Sequence, residues 1–231
     1  MRKISPTDVK ADFDSSINSL TAFYNTVKSQ LTLDKDQSFL VENIALTAAT
    51  FWEGFVHDLF VAYINCDSTQ FVTHLQNAFE ANRTAKQKLI ADNFVQLKFA
   101  KHLSMSMITS LLDNNGNNVT FPNYGAMKDG ATKYLEASNA AKIKGLTSLQ
   151  GATINLWLAL RNHIAHRSER SGKAMNEALQ NGGLYGSPLQ RGAGTKGVKH
   201  VGAYLKATGA SSTLPRVEII LTSMQTIATA L

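Results

Sequence analysis

The stretch DKDQSFLVENIALTAATFWEGFVHDLFVAYIN, Asp34 to Asn65, is the segment on which the fold turns. Its apolar positions Leu40, Ile44, Ala48, Phe51, Phe55, Leu59 and Ala62 step by three or four, the spacing of one helix face. A second row, Trp52, Val56, Phe60 and Tyr63, leaves the helix hydrophobic nearly all round. A helix of that kind must be enclosed by others, so the sequence predicts an all-α bundle with this segment at its centre. The chain has only four prolines and no run of alternating β-branched residues long enough for a sheet, which agrees.

Working outward, Ser5-Pro6-Thr7-Asp8 reads as a capped helix start, with the first helix running to about Ser29. Further helices are predicted over roughly 68 to 81, 84 to 112 and Tyr124 to Ala141. The polar run Asp113 to Asn118 is a loop. Thr147 opens another helix, predicted to end near Ser171-Gly172, and a last helix over about Leu214 to Ala230 carries the stripe Val217, Ile220, Met224, Ile227 and Leu231. Between Gly182 and Gly202 the glycine content predicts an inserted mobile loop or a broken helix. At 231 residues and 44% hydrophobic content, a single domain spanning 1–231 is expected.

No uncharged apolar stretch reaches the roughly 18 residues of a membrane helix, and the N-terminus lacks an apolar region behind Arg2 and Lys3. A cytoplasmic chain without membrane contact is expected. Cys66 is the lone cysteine, so an internal disulfide and a thiolate zinc site are excluded. The net charge of +6 attracts polyanions, leaving RNA, DNA or an acidic protein open as partners. Arg161, Arg167, Arg170, Lys173, Arg191, Lys196, Lys199 and His200 fall in one third of the sequence, a basic surface if that third folds together.

The centre of that third is LWLALRNHIAHRSER, Leu156 to Arg170. Residues 145 to 160 carry no charge, so Arg161 is the first ionised group on an otherwise apolar segment. Asn162 and His166, four apart, share a helix face, and Arg161 reaches toward the same point. Arginine offers a planar fork of donors to phosphate oxygens, and histidine exchanges a proton near neutral pH. Those are the two requirements of RNA cleavage by its own 2′-hydroxyl. The competing reading is a helix C-terminus carrying cations that complement the macrodipole. A partner weighs against it: Glu53 is the only ionised residue between Asn43 and Val56, and two lone opposite charges on two core helices are expected to meet. Such a pair serves architecture, or holds the guanidinium for a substrate.

Other chemistries are less well provided for. Glu53 with His57, and His163 with His166, have spacings that converge on an ion, but the Glu-x-x-His pair of carboxylate-bridged bundles is missing, so no metal and no cofactor is expected. GAGTKG, Gly192 to Gly197, matches GxGxxG formally without the preceding strand a dinucleotide site needs, and reads as a basic loop. Cys66 reads as a packing residue.

RNHIAH, an Arg, a polar residue and a His after four intervening positions near a helix end, resembles the signature of the HEPN superfamily of helical-bundle ribonucleases and toxins. FWEGFVHDLF, Phe51 to Phe60, is similar to the corresponding helix of its RiboL-PSP-HEPN branch. These segments make up under half of the chain. The resemblance implies a HEPN-like bundle with metal-independent endoribonuclease chemistry that leaves a 2′,3′-cyclic phosphate. By position, Arg161 would stabilise the phosphorane, Asn162 would orient it or the imidazole, and His166 would transfer the proton. Glu53 and the additional His163 would support them, while Arg167, Arg170, Lys173, Arg191, Lys196 and Lys199 would steer the RNA backbone. It further implies a homodimer with a composite active site, a role in toxin systems or phage defence, and control by an antitoxin. The alternative is a non-catalytic HEPN-like module that binds RNA, a nucleotide or a protein.

Overall fold

Ser5 caps the first helix, α1 (Pro6–Lys28), its hydroxyl accepting from the Asp8 N–H, and the long apolar segment follows as α2 (Asp34–Cys66). At 1.5 Å per residue α2 is roughly 50 Å long. The computed structural model describes residues 5–94, 102–112, 119–191, 197–209 and 212–231. The chain continues through α3 (Thr69–Ala81), α4 (Ala85–Phe94), α5 (Met105–Leu112), α6 (Tyr124–Tyr134) and α7 (Ala137–Lys144). Then come α8 (Ser148–His166), α9 (Glu169–Leu179), a 3₁₀ turn at Gly182–Leu184, α10 (Val201–Lys206) and α11 (Arg216–Ala230). Among the described residues there is no strand beyond an isolated bridge between Thr208 and Pro215. No described helix is long and apolar enough to cross a membrane.

Helix α2 is the axis, with α1, α5, α6, α8, α10 and α11 all packed on it. Most of its apolar positions are buried by these neighbours, but a stripe through Asn43, Thr50, Phe51 and Asp58 is exposed, so Phe51, expected in the core-facing row, is not in the core. Where α1, α2 and α8 meet, Phe13, Trp52, Phe55 and Trp157 are buried together. Phe13 stacks on Phe55 at 4.5 Å between centroids, and Trp52 meets Trp157 edge-on at 4.8 Å. Both tryptophans adjoin charged positions, Trp52 beside Glu53 and Trp157 one turn before Arg161.

Several boundaries differ from those expected, each for a local reason. The helix predicted over 84 to 112 is two helices, because Leu103 is buried, its carbonyl accepts from Asn65 Nδ2 at 3.0 Å, and Ser104 starts α5 by accepting from the Met107 N–H. The one predicted over 124 to 141 also breaks. Leu135 is extended and buried, and the Glu136 carboxylate caps α7 at the Ser138 N–H, 2.9 Å away. The motif helix α8 opens on a capping box between Thr147 and Gln150 but stops at His166, five residues short of Ser171. There Arg167 turns left-handed at φ 50°, and Ser168 caps α9 through the Ser171 N–H. The described parts of the glycine-rich segment pack, with Leu184, Leu189 and Val201 buried, rather than forming an open loop. The loop expected at Asp113 to Asn118 and most of GAGTKG, including Lys196, lie outside the described residues.

Candidate functional site

Helix α8 gives the site its shape. Its capped start and the buried residues Ala152, Thr153, Ile154, Leu156, Trp157 and Leu158 fix the axis, and Leu160 is the last buried residue before the charged turns. One face of those turns looks at α2, and there the two lone charges meet: Arg161 Nη2 donates to Glu53 Oε2 at 3.2 Å. Arg161 Nη1 donates to Asn162 Oδ1 at 3.0 Å. The guanidinium is therefore held from two sides while 31% of its side chain remains open to solvent. Asn162 orients Arg161, and both Asn162 and His166 are exposed.

A second contact closes the far end of α8. The Arg167 guanidinium donates to Glu42 Oε2, and Glu42 Oε1 accepts from the Gly202 N–H at 2.9 Å. Glycine is needed there, because a Cβ at 202 would lie 2.6 Å from that of Ser38. One carboxylate thus ties α2 to the start of α10 and to the residue following His166. Arg167, expected to steer RNA, is in the first place engaged with Glu42. Sequence reasoning missed Glu42, whose neighbourhood carries Asp34, Lys35 and Asp36 and so offers no isolated charge.

His163 lies between these contacts. Its Nδ1 is 3.1 Å from Ser171 Oγ on α9, and its ring rests on Gly172, where a Cβ would stand 3.3 Å from Cε1. Partial burial, with the Arg167 charge, holds this imidazole below its usual pKa, while Glu42 pulls the other way. Ser171 and Gly172 were also missed. The readable signal was Ser168-Glu169, a cap and an acidic first turn that restart a helix after the motif.

The metal alternative finds no convergence. His57 is buried and its Nδ1 accepts from the Val119 N–H at 2.9 Å, while Glu53 faces Arg161. Among the described residues no three His, Cys, Asp or Glu side chains come together as ligands. The cleft beside Trp52, Glu53, Thr120, Asn123 and Leu158 is small, about 10 Å³, room for one water at most.

The surrounding cations divide. Arg170 and Lys199 are exposed, Lys173 is exposed and pairs with Glu169 at 2.9 Å, and Arg191 is half-buried. Asn176 of α9 bonds both the N–H and the carbonyl of Val198, which brings the Lys199 backbone beside α9. The arrangement offers a held arginine, an exposed histidine five positions on, an oriented second histidine, and cations on the adjoining helix. In comparisons with known proteins, the family model described as RiboL-PSP-HEPN matches residues 11–180. No curated protein and no solved structure matches the chain.

Proposed function

Because the chain belongs to the RiboL-PSP-HEPN family of all-α HEPN bundles, we propose that it is a metal-independent endoribonuclease, acting as a toxin or phage-defence effector. The observation that carries this reading is the Glu53–Arg161–Asn162 arrangement one turn and a half from the exposed His166. A guanidinium fixed from two sides is prepared for charge that develops on a phosphorane, which is where preorganisation lowers a barrier most. His166, exposed and without an ion pair or hydrogen-bonded side chain among the described residues, supplies proton transfer, worth about 10²- to 10⁴-fold in typical cases. The 2′-oxygen attacks the adjacent phosphorus, the 5′-oxygen leaves, and the product carries a 2′,3′-cyclic phosphate.

The open surface around α8 supports a site completed by a second copy, each contributing its own Arg161 and His166, and an antitoxin as the partner that keeps activity in check. Arg170, Lys173, Arg191, Lys196 and Lys199 steer the RNA backbone through its charge. The test is incubation of purified protein with RNA in excess chelator, followed by end-group analysis. Fragments ending in 2′,3′-cyclic phosphate are the expected result. Binding without cleavage would instead assign the chain to the non-catalytic modules of the same superfamily.

A further inference from the structure

His163 is not needed to complete the Arg161–Asn162–His166 set, yet it is the better oriented of the two motif imidazoles. The serines around it favour one tautomer. Ser171 has one hydroxyl hydrogen, which it donates to the Ser168 carbonyl at 2.9 Å. Ser168 Oγ accepts from the Ser171 N–H at 3.2 Å and donates its own hydrogen to Ser171 Oγ at 3.0 Å. Ser171 Oγ is thus left only as an acceptor toward His163 Nδ1, 3.1 Å away. In that network a neutral His163 ring carries its proton on Nδ1, where it donates to Ser171 Oγ, and Nε2 keeps its lone pair. His57 is the reverse case, with Nδ1 accepting from Val119 and its proton on Nε2.

From this geometry we infer that His163 is the proton acceptor of the cleavage step, with His166 the donor to the leaving group. The inference rests on the ribonuclease reading above. In the step, the 2′-O–H bond breaks and its proton passes to His163 Nε2. The oxygen's electron pair forms the new bond to phosphorus, and the P–O5′ bond breaks with its pair leaving on the 5′-oxygen, which takes the proton of His166. Ser171 is a positioning residue that holds the tautomer, and Gly172 is the floor on which the ring lies. Among the described residues the charged groups acting on His163 are Arg167 and Glu42, and burial together with Arg167 holds the ring below its usual pKa while Glu42 opposes them. Activity should therefore hold on the acid side until His163 protonates, and Arg167→Gln should move that limb to higher pH.

The test compares a cleaved RNA oligonucleotide with the same oligonucleotide bearing sulfur in place of the scissile 5′-oxygen, whose thiolate leaves without a proton. His166→Ala should lose activity on the first and regain it on the second. His163→Ala should lose about 10²- to 10⁴-fold in kcat on both, with KM changed by less than about threefold. Added imidazole should restore it. Should His163→Ala fold poorly, Ser171→Ala, which leaves the Ser168 cap in place, should lower kcat roughly tenfold on both substrates. Recovery of His163→Ala by sulfur, or a kcat within about threefold of the parent, overturns the assignment. Long-range ¹H–¹⁵N spectra of the imidazoles add an independent readout. Cleavage by a chain whose His163 is protonated at Nε2 sinks this role alone. A wild-type chain that cleaves neither substrate sinks the ribonuclease reading and this role with it.

Discussion

Helix α2 presents two carboxylates to the end of α8, and the two pairs they make sit in unlike surroundings. Glu53–Arg161 lies over the Trp52–Trp157 contact, with 21% and 31% of the two side chains exposed. Glu42–Arg167 lies 11 residues away on α2, about three turns, with 14% and 53% exposed. The first joins two helices through their cores. The second joins a helix to the residue that ends α8, and it recruits the start of α10 through Gly202. One pair therefore sets where the guanidinium stands, and the other sets how the chain turns directly after His166.

The comparison breaks most severely at its aromatic base. Trp157→Ala should cost about 3–5 kcal/mol of stability, because a fully buried ring between two helices leaves a cavity. Chemical denaturation followed by circular dichroism measures it. The same loss from a ring unconnected with the site would carry no loss of pairing, so the Arg161–Glu53 coupling should vanish in this variant while Arg167–Glu42 persists. Arg161→Ala should lower stability by about 1–2 kcal/mol, between the values of exposed and buried pairs, and should remove cleavage. A double-mutant cycle with Glu53→Gln isolates the pair.

Glu42→Gln should have a smaller effect, about 1 kcal/mol, because Arg167 is half-open to water, and the amide oxygen can still accept from Gly202. Its stability loss should shrink at high salt more than that of Arg161→Ala, which thermal melts in stepped sodium chloride would show. The smallest effect is in pH. His163, held below its usual pKa in the folded chain, binds fewer protons folded than unfolded. Stability should be unaffected above the unfolded value near 6.5 and should fall as pH drops below it. His74, lowered by burial and Lys133, adds the same slope, so His163→Gln should reduce the acid slope and the variant with His74→Gln should remove more of it.

The unequal legibility of the two pairs in the sequence has a physical cause. Glu53 and Arg161 are each the sole charge on a long apolar run, and a lone charge in a core must find its opposite. Their meeting follows from composition. Glu42 stands on a polar first third of α2, and its partner lies past a helix end that the sequence places at Ser171-Gly172 but the structure places at His166. Arg167 adopts a left-handed conformation without being glycine, so the usual marker of a helix stop is missing. The all-α class and the central helix were readable because hydrophobic period is a long-range average over some thirty residues. The breaks at Leu103 and Leu135 were not, because each depends on one buried leucine and a capping side chain that tertiary packing selects. Of the glycine-rich segment, expected as a mobile loop or a broken helix, the described part holds a 3₁₀ turn and packs through the buried Leu184, Leu189 and Val201.

The claim that the α8 end is a ribonuclease site is tested most directly by His166→Ala compared with the parent protein on the same RNA, in chelator, with melting temperatures measured in parallel. The exposed imidazole carries no core contact, so the melting temperature should stay within about 2 °C, and fragments with 2′,3′-cyclic phosphate ends should disappear. Undiminished cleavage by the variant, freed of contaminating nuclease, would contradict the account.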